Sequence, residues 1–320
     1  MSGIAEKVLE EKAPGALADA KKMLKIFADF DTKEETIHEG DHPFVETATF
    51  ADDTKYHGEM WQSDFHFEDV AFIDEGKESD YDIKVKPHNL TSGMGDIVGW
   101  LSGKKGAGYK KGYMYTFLMK KFENNEDVAK SFALRLLVHY MGDLVQPFHN
   151  ISRFTKANPE GDKGANAFLL PNHYGASELH AVWDFVLYEE HNNIPRPFTK
   201  DSWDTFSQHL DGIMKDYGYA VSGSSIYKST NYSKWSTESY ELAKTLYDGV
   251  TENEPVPQAY LDKNIKIAYE RLIIGGYRLY YTMTYIFGDS LSAEYESTLA
   301  DFTDMIVANI DVNASKKFLQ

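Results

Sequence analysis

The chain contains two pairs of histidine and aspartate with the same spacing, and both residue types can bind metal ions. His139 and Asp143 lie four residues apart in the segment LVHYMGDLVQPFHN, and His180 and Asp184 repeat this spacing in ELHAVWD. On a helix, residues four apart share one face and lie one turn apart. Each pair can therefore direct an imidazole and a carboxylate at one small volume.

A third histidine, His149, follows the first pair closely. Apolar residues at helical spacing predict a helix from about Asn125 to Gln146. Pro147 disfavours helical backbone at Gln146, so we expect the chain to turn there. His149 can then fold back towards the end of that helix and towards Asp143.

Two explanations compete for these polar groups. A helical pair of histidine and aspartate is often only a hydrogen-bonded pair at a helix end. Two such pairs and a further histidine, however, would bury several polar groups without a common purpose. A shared metal cluster gives them one, because neutral imidazole and carboxylate are good zinc ligands. The chain contains no cysteine, so a zinc site would depend on histidine, aspartate and backbone groups.

Two stretches nearer the N-terminus add similar groups among aromatic residues. Asp52 and Asp53 lie on a predicted helix within ATFADDTKYHGEMW, and His66 lies between Phe65 and Phe67 in SDFHFEDV. Both stretches also have an ordinary structural explanation. A carboxylate such as that of Asp53 is often solvated, and His66 could be a packed histidine of a strand. The residues alone leave this choice open.

Composition narrows the class of protein. The chain has 320 residues with 42% hydrophobic and 14% aromatic residues, which suffices for a sizeable core. No apolar run approaches the length of a transmembrane helix. A net charge of −17 argues against binding of long duplex nucleic acid through a basic face. It does not exclude an enzyme that holds phosphate through bound cations, because these dominate their local field.

Helical periodicity extends over almost the whole chain and predicts an all-α fold. The predicted helices cover residues 2–10, 15–28, 44–62, 92–103, 108–122, 125–146, 176–190, 201–217, 234–249, 257–287 and 292–309. The alternating segment DFHFEDV favours an extended conformation, and residues 72–88, 152–166 and 219–233 are predicted loops. We find no linker, so we predict a single domain over residues 1–320, in which residues 289–320 form a C-terminal helical extension.

The order of the motifs resembles a known enzyme family. From residue 1 to about 288 the chain shows, in turn, ATFADD, FHFED, LLVHYMGDLVQPFHN, GDKGAN, ELHAVWD and GGYRL. This series resembles the zinc-dependent single-strand-specific nucleases and 3′-nucleotidases of the S1/P1 nuclease family. The resemblance implies a multi-helix zinc phosphodiesterase fold, to which bacterial zinc-dependent phospholipase C is also similar.

The resemblance also implies three zinc ions and most of their ligands. The residues that match the ligands of the first zinc are Asp52, His66, His139 and Asp143. Those that match the ligands of the second are His149, His180 and Asp184. In the family, Asp143 would also bridge to a third zinc, which is held by an N-terminal Trp and by a histidine five residues later. Neither of these is in this sequence, so two zinc sites are fully liganded by the chain as given.

This departure has two explanations. The sequence begins within what would be the first helix of the family, so we expect that it is truncated and that a signal peptide is missing. The protein would then be secreted, or lysosomal or vacuolar, and its four N-glycosylation sequons would matter. The alternative is a protein that lacks the third zinc.

The function implied is a zinc-dependent endonuclease and 3′-nucleotidase. It would hydrolyse single-stranded DNA and RNA at the P–O3′ bond and leave 5′-phosphates, acting as a monomer on single-stranded nucleic acid or 3′-nucleotides. The alternatives are a phosphodiesterase like zinc phospholipase C, or an inactive metal-binding homologue.

The resemblance assigns five further roles within this site. Asp52 would orient the water, and Lys55 takes the place of a phosphate-contacting arginine. Phe67 and Asp69 match residues that stack on the base and hydrogen-bond it, and Asn166 matches a phosphate contact. Stacking accepts any base but needs it unstacked, which suits a single strand.

Overall fold

The computed structural model describes residues 1–104, 106–192, 194–222 and 225–288, which are mostly helical. The helices are α1 (Ser2–Lys12), α2 (Pro14–Phe30), α3 (Pro43–Glu46), α4 (Phe50–Thr54), α5 (Leu90–Ser102), α6 (Tyr113–Lys121), α7 (Glu126–Val145), α8 (Leu179–Asp184), α9 (Lys200–Tyr217), α10 (Tyr232–Ala243) and α11 (Gln258–Phe287). The short strands are β1 (Val70–Ile73), β2 (Ile151–Phe154), β3 (Leu169–His173) and β4 (Ala176–Glu178). The all-α class is confirmed. The predicted extension at 289–320, with its helix at 292–309, lies outside the described residues.

Helix α7 forms the centre of the fold. It begins at the N-cap Asn125, whose side chain accepts a hydrogen bond from the backbone of Val128 (3.4 Å), and it is buried on nearly every face. It packs against α2, α5, α6, α10 and α11. A helix surrounded in this way is expected to be apolar on most sides. The buried polar side chains of α7 are the exceptions: Ser131, Arg135, His139 and Asp143.

The C-terminal end of α7 is held by side chains of α10 and α11. The carbonyl of Leu144 accepts a hydrogen bond from the Ser239 hydroxyl (2.7 Å), and that of Val145 accepts one from Arg271 Nε (2.9 Å). Glu238 on α10 forms ion pairs with Arg271 and with Arg278. Carbonyls at a helix end have no partner within the helix, so these contacts satisfy them and fix where the chain leaves α7.

The parallel pair of β1 and β2 joins two distant parts of the chain. Val70 pairs with Ile151 and Ile73 with Phe154. Just before the strands, the backbone N–H of Glu68 donates to the carbonyl of His149 (2.8 Å). The pair therefore places the segment that follows His66 directly beside the turn at the end of α7. The strands β3 and β4 form a separate antiparallel pair that leads into α8.

The predicted helix over residues 44–62 is wrong. This stretch consists of α3, α4 and several irregular helical turns, with a π-helical turn at Lys55–Glu59 and a 3-10 helix at Met60–His66. Gly58 has φ +103°, a conformation that no regular α-helix allows. The stretch therefore bends at this point and brings His66 back towards α7.

Other differences lie mainly at helix ends. Helix 108–122 starts only at Tyr113, and helix 234–249 ends at Ala243. In the range predicted as helix 176–190, only α8 is helical, after β4 and before a turn. The predicted loop 152–166 begins with most of β2, and DFHFEDV is helical up to His66 before it becomes extended. No helix in the described ranges combines the length and the apolar character needed to cross a bilayer.

Candidate metal centre

A first cluster joins three side chains from different elements. Asp52 comes from α4, His66 from the end of the 3-10 helix and His139 from α7, and one ligand atom of each lies within 4.8 Å of the others. His66 Nδ1 lies 3.2 Å from His139 Nε2 and 3.8 Å from Asp52 Oδ1. His139 Nε2 lies 3.6 Å from Asp52 Oδ2. Both imidazoles are buried, whereas 56% of the Asp52 side chain is exposed, so the cluster opens towards solvent on the aspartate side.

A second cluster has the same composition. His149 and His180 face each other with 3.2 Å between their Nε2 atoms. Asp184 Oδ2 lies 3.4 Å from His180 Nε2, and its Oδ1 lies 3.9 Å from His149 Nε2. Again the imidazoles are buried and the aspartate, 42% exposed, lies on the solvent side.

Asp143 lies between the two clusters. Its Oδ2 lies 2.9 Å from His66 Nδ1 and 3.3 Å from His139 Nε2, which places it with the first cluster. Its Oδ1 faces the second cluster at 3.8 Å from His149 Nε2. One buried carboxylate therefore contacts both groups, and the structure brings together all seven side chains that the family resemblance assigned to zinc.

Backbone carbonyls orient three of the four histidines. The Nδ1 atoms of His139, His149 and His180 lie 2.6–2.7 Å from the carbonyls of Ala48, His66 and Gly164. A ring that donates its Nδ1 proton to a carbonyl presents a lone pair at Nε2, as metal-binding histidines usually do. His66 is turned the other way: Nδ1 faces the cluster, and Nε2 is buried without a hydrogen-bond partner among the described residues.

The donor set fits a metal ion with short bonds. Two neutral acceptor nitrogens repel each other at 3.2 Å unless a proton or a cation lies between them, and this contact occurs once in each cluster. Tetrahedral zinc with bonds of about 2.0–2.1 Å separates its ligand atoms by roughly 3.3–3.4 Å. The separations of 2.9–3.9 Å between the atoms of the clusters and Asp143 bracket this value. The two clusters could therefore each hold a metal ion.

The carboxylates and imidazoles shift one another's pKa values. Although burial lowers it, the negative charge of Asp143 raises the pKa of His139 and of His149 to about 9. Burial lowers the pKa of His66 and of His180. Burial would raise the pKa of Asp143, but His139 and its neighbours hold it well below the ordinary value. Asp143 is therefore ionised over the physiological range and adds a permanent negative charge between the clusters.

Both clusters line an open cavity of about 970 Å³, which also receives three other predicted site residues. Lys55 Nζ donates a hydrogen bond to Asp52 Oδ1 (2.8 Å), so its positive charge lies at the first cluster. The Phe67 ring is parallel to that of His149, with 4.9 Å between centroids. Asn166 Nδ2 donates to the carbonyl of Lys163 (2.7 Å).

Two features of the structure bear on the predicted substrate contacts of Asp69 and Asn166. Asp69 is not among the described residues that line the cavity; its Oδ2 pairs with Lys86 Nζ (2.9 Å). Ala165, beside Asn166, has φ +61°, a left-handed conformation that glycine adopts more easily. The same loop supplies the Gly164 carbonyl that orients His180.

Sequence reasoning missed several residues of the cavity. Gln146 Nε2 donates to Asp184 Oδ1 (2.9 Å), so this residue next to Pro147 orients a carboxylate of the second cluster. Arg196 and the exposed His38 line the cavity from loops that carry no recognisable motif. Only Gln146 had a signal, as the glutamine of a Gln-Pro-x-His motif.

Comparisons with known proteins agree with this geometry. The family described as S1/P1 nuclease matches residues 1–288. Among curated proteins of Arabidopsis thaliana, Endonuclease 5 is 28% identical over 180 residues, covering 53% of this chain and 57% of the relative. Endonuclease 1 is 29% identical over 169 residues, covering 49% and 50%. Endonuclease 4 is 24% identical over 294 residues, covering 89% and 85%. With the first two relatives, the chain thus aligns over little more than half of their length.

Proposed function

The chain belongs to the S1/P1 nuclease family, and from this premise we propose that it is a zinc-dependent endonuclease and 3′-nucleotidase. It hydrolyses single-stranded DNA and RNA at the P–O3′ bond and releases 5′-phosphates. The observation that carries the proposal is the pair of clusters, each of two histidines and an aspartate, on either side of Asp143 in one open cavity.

The seven side chains form two sets of candidate zinc ligands, with Asp143 between them. Asp52, His66 and His139 would hold one ion, the set of His149, His180 and Asp184 would hold the other, and Asp143 lies within reach of both. Bound zinc supplies a Lewis acid for the phosphate oxygens and a water of lowered pKa. The buried histidines supply neutral ligands, and the carboxylates lower the net charge of the centre without cancelling it.

Asp52 and Lys55 act at the solvent side of the first cluster. The half-exposed carboxylate of Asp52 can accept a hydrogen bond from the attacking water and so orient it towards phosphorus. Lys55, hydrogen-bonded to Asp52, places a positive charge where the nonbridging oxygens gain negative charge. Because lysine is a point charge, it stabilises this charge without imposing the two-pronged geometry of arginine.

Phe67 and Asn166 supply the remaining contacts of the cavity with substrate. One face of the Phe67 ring packs on His149, so a base can stack only on the other face. A base that stacks on an aromatic ring must first leave its own stack, which favours a single strand over a duplex. Asn166 lines the cavity and can donate to a phosphate oxygen through its Nδ2 group. Asp69 lies outside the described lining residues and would reach the base only after releasing Lys86.

A parallel substrate assay tests this function. The zinc-loaded protein is incubated with single-stranded RNA, single-stranded DNA, duplex DNA, 3′-AMP and phosphatidylcholine, and products are identified by mass spectrometry. We expect cleavage of both single strands to 5′-phosphorylated products and release of phosphate from 3′-AMP. Cleavage of the lipid alone would support a phospholipase C-like enzyme, and no cleavage with zinc bound would support an inactive homologue.

A further inference from the structure

Arg196 is a cation of the cavity to which neither the motifs nor the clusters assign a role. It lies in the segment between α8 and α9 and lines the cavity that contains both clusters. Its Nη1 donates to the carbonyl of Glu46 (3.1 Å) and to the hydroxyl of Thr49. Its Nη2 lies 3.6 Å from Asp53 Oδ2. The guanidinium therefore lies beside α4, whose Asp52 belongs to the first cluster.

The segment that carries Arg196 is held in place by a buried carboxylate. Glu46 Oε1 accepts a hydrogen bond from the backbone of Phe198 (2.6 Å), and its Oε2 accepts one from Gly40 (2.7 Å). Only 1% of Glu46 is exposed, so it does not exchange these partners for water readily. The bond to Phe198 fixes the backbone two residues after Arg196. This restricts where the guanidinium can lie, which lowers the entropy lost when it binds a ligand.

The Arg196 guanidinium has N–H groups that can donate hydrogen bonds to a ligand. Arginine has five N–H groups, and in the described part of the chain only Nη1 of Arg196 donates hydrogen bonds. Asp53 Oδ2, the nearest carboxylate oxygen to Nη2, already accepts a hydrogen bond from Thr49 (2.5 Å). Nε and the rest of Nη2 match the two-pronged geometry of a phosphate.

The other two lysine or arginine side chains among the described lining residues are engaged elsewhere. Lys55 bonds Asp52 at the first cluster, where the cleaved phosphate must lie. Arg271 donates to Val145 and Ser239 and pairs with Glu238, so it belongs to the framework at the end of α7. A polyanion that approaches a chain with net charge −17 needs local positive charge, and Arg196 is placed to supply it.

We infer that Arg196 binds a second phosphate of the substrate, next to the one that is cleaved, and so gives the enzyme a preference for oligonucleotides over mononucleotides. The inference rests on the proposed function and deepens it. Lys55 and Arg196 contact neighbouring residues of α4, Asp52 and Asp53, so both cations lie beside the same short helix, where one strand could present a phosphate to each.

The test compares substrates that differ by one phosphate. Dinucleoside monophosphate and trinucleoside diphosphate are assayed with the wild type, Arg196→Gln and Arg196→Lys. We expect Arg196→Gln to lower kcat/KM for the trinucleotide roughly tenfold and to leave the dinucleotide and 3′-AMP within about twofold. Arg196→Lys, which keeps the charge, should retain an intermediate preference. Arg153→Gln is the matched control, because this arginine is 23% exposed against 22% for Arg196 and pairs with Asp74 instead.

A purely structural role for Arg196 predicts a different result. Loss of its bonds to Glu46 and Thr49 would then impair all three substrates equally, and this outcome would overturn the inference. Affinity for phosphorothioate di- and trinucleotides, measured by fluorescence anisotropy, gives a second readout that does not need turnover. Equal affinity of the wild type for both would also refute the inference. Absence of any nuclease activity in the wild type would instead refute the proposed function, and the anisotropy data would still decide the role of Arg196.

Discussion

At the scale of single residues, the centre depends on side chains that contact both clusters. His149 contacts His180 in the second cluster, faces Asp143, and donates through Nδ1 to the backbone carbonyl of His66, a residue of the first cluster. Removing its imidazole therefore takes one ligand from the second cluster and one restraint from the first. Loss of this ring therefore disturbs both clusters at once.

We predict that His149→Ala lowers the zinc content by about one equivalent and the rate of hydrolysis by at least about 100-fold. The physical reason is that Asp184 and His180 alone offer too few ligands for a tight site. Zinc is measured by elemental analysis of the purified protein. His209→Ala is the control, because His209 is 48% exposed and pairs with Glu190 on the surface. Unchanged zinc content in His149→Ala would contradict the assignment of this ligand.

The spacing of residues predicted the pairs of the centre but not their orientation. His139 and Asp143 lie on α7 and His180 and Asp184 on α8, as their four-residue spacing requires. The nitrogen that each ring presents depends on carbonyls such as those of Ala48 and Gly164, which belong to irregular backbone. No periodic pattern encodes such backbone, so sequence reasoning could not predict that His66 is turned the other way.

At the scale of elements, the irregular stretch between α4 and β1 carries much of the site. Lys55 begins its π-helical turn and His66 ends its 3-10 helix, with Gly58 between them. Helical periodicity predicted one continuous helix here because the apolar residues keep a helical spacing. The one cue in the sequence against a continuous helix is Gly58, since glycine adopts φ +103° at lower cost than any of its neighbours.

We predict that Gly58→Ala lowers the free energy of unfolding by about 1–2 kcal/mol, because a Cβ is strained at this positive φ even though nothing lies within 4 Å of it. The measurement is urea denaturation followed by circular dichroism. Gly95→Ala is the matched control: Gly95 lies within α5 and also has open space around its Cβ, so alanine should stabilise it by about 0.5–1 kcal/mol. Equal effects of both changes would show that φ at Gly58 is not the cause.

The ion pairs of Glu238 link α10, α11 and the end of α7. We predict that Glu238→Gln lowers the free energy of unfolding by about 2–3 kcal/mol, because the buried Arg271 and Arg278 lose their counter-charge. Glu241→Gln on the same helix is the control, with an effect below about 0.5 kcal/mol, since Glu241 is 58% exposed. Urea denaturation at pH 7 gives both values.

Low pH should reduce the difference in unfolding free energy between the wild type and Glu238→Gln. Burial raises the pKa of Glu238, but Arg271 and Arg278 together lower it by a larger amount. The folded-state pKa therefore lies below the ordinary value. Stability from such a group is present above the unfolded pKa of about 4.3 and is lost as pH falls through the folded pKa. The gap in unfolding free energy should therefore shrink below about pH 4. A gap that stays constant down to pH 3 would exclude the ion pairs as its source.

At the scale of the whole molecule, the proposed function requires an acidic protein to act on an acidic polymer. The net charge of −17 repels a long strand, whereas the cavity attracts phosphate through local cations. We predict that kcat/KM for a long single strand rises between about 0.01 and 0.1 M salt, as the screening length falls from about 30 to 10 Å. The rate with 3′-AMP should change little, because one small anion meets mainly the local field. Steady-state rates at several salt concentrations test this, and a fall for the long strand would show that local attraction dominates at long range too.

The parallel pairing of β1 with β2 also determines where the chain can change in length. The two clusters keep their separation because residues 70–73 pair with residues 151–154 and the N–H of Glu68 donates to the carbonyl of His149. Inserting one residue in either stretch would shift the register by about 3.3 Å. The polar residues 74–88 are joined to this frame mainly at their ends and at the surface, so insertions there leave the register intact. The length of that loop can therefore vary while the distance between the two clusters stays the same.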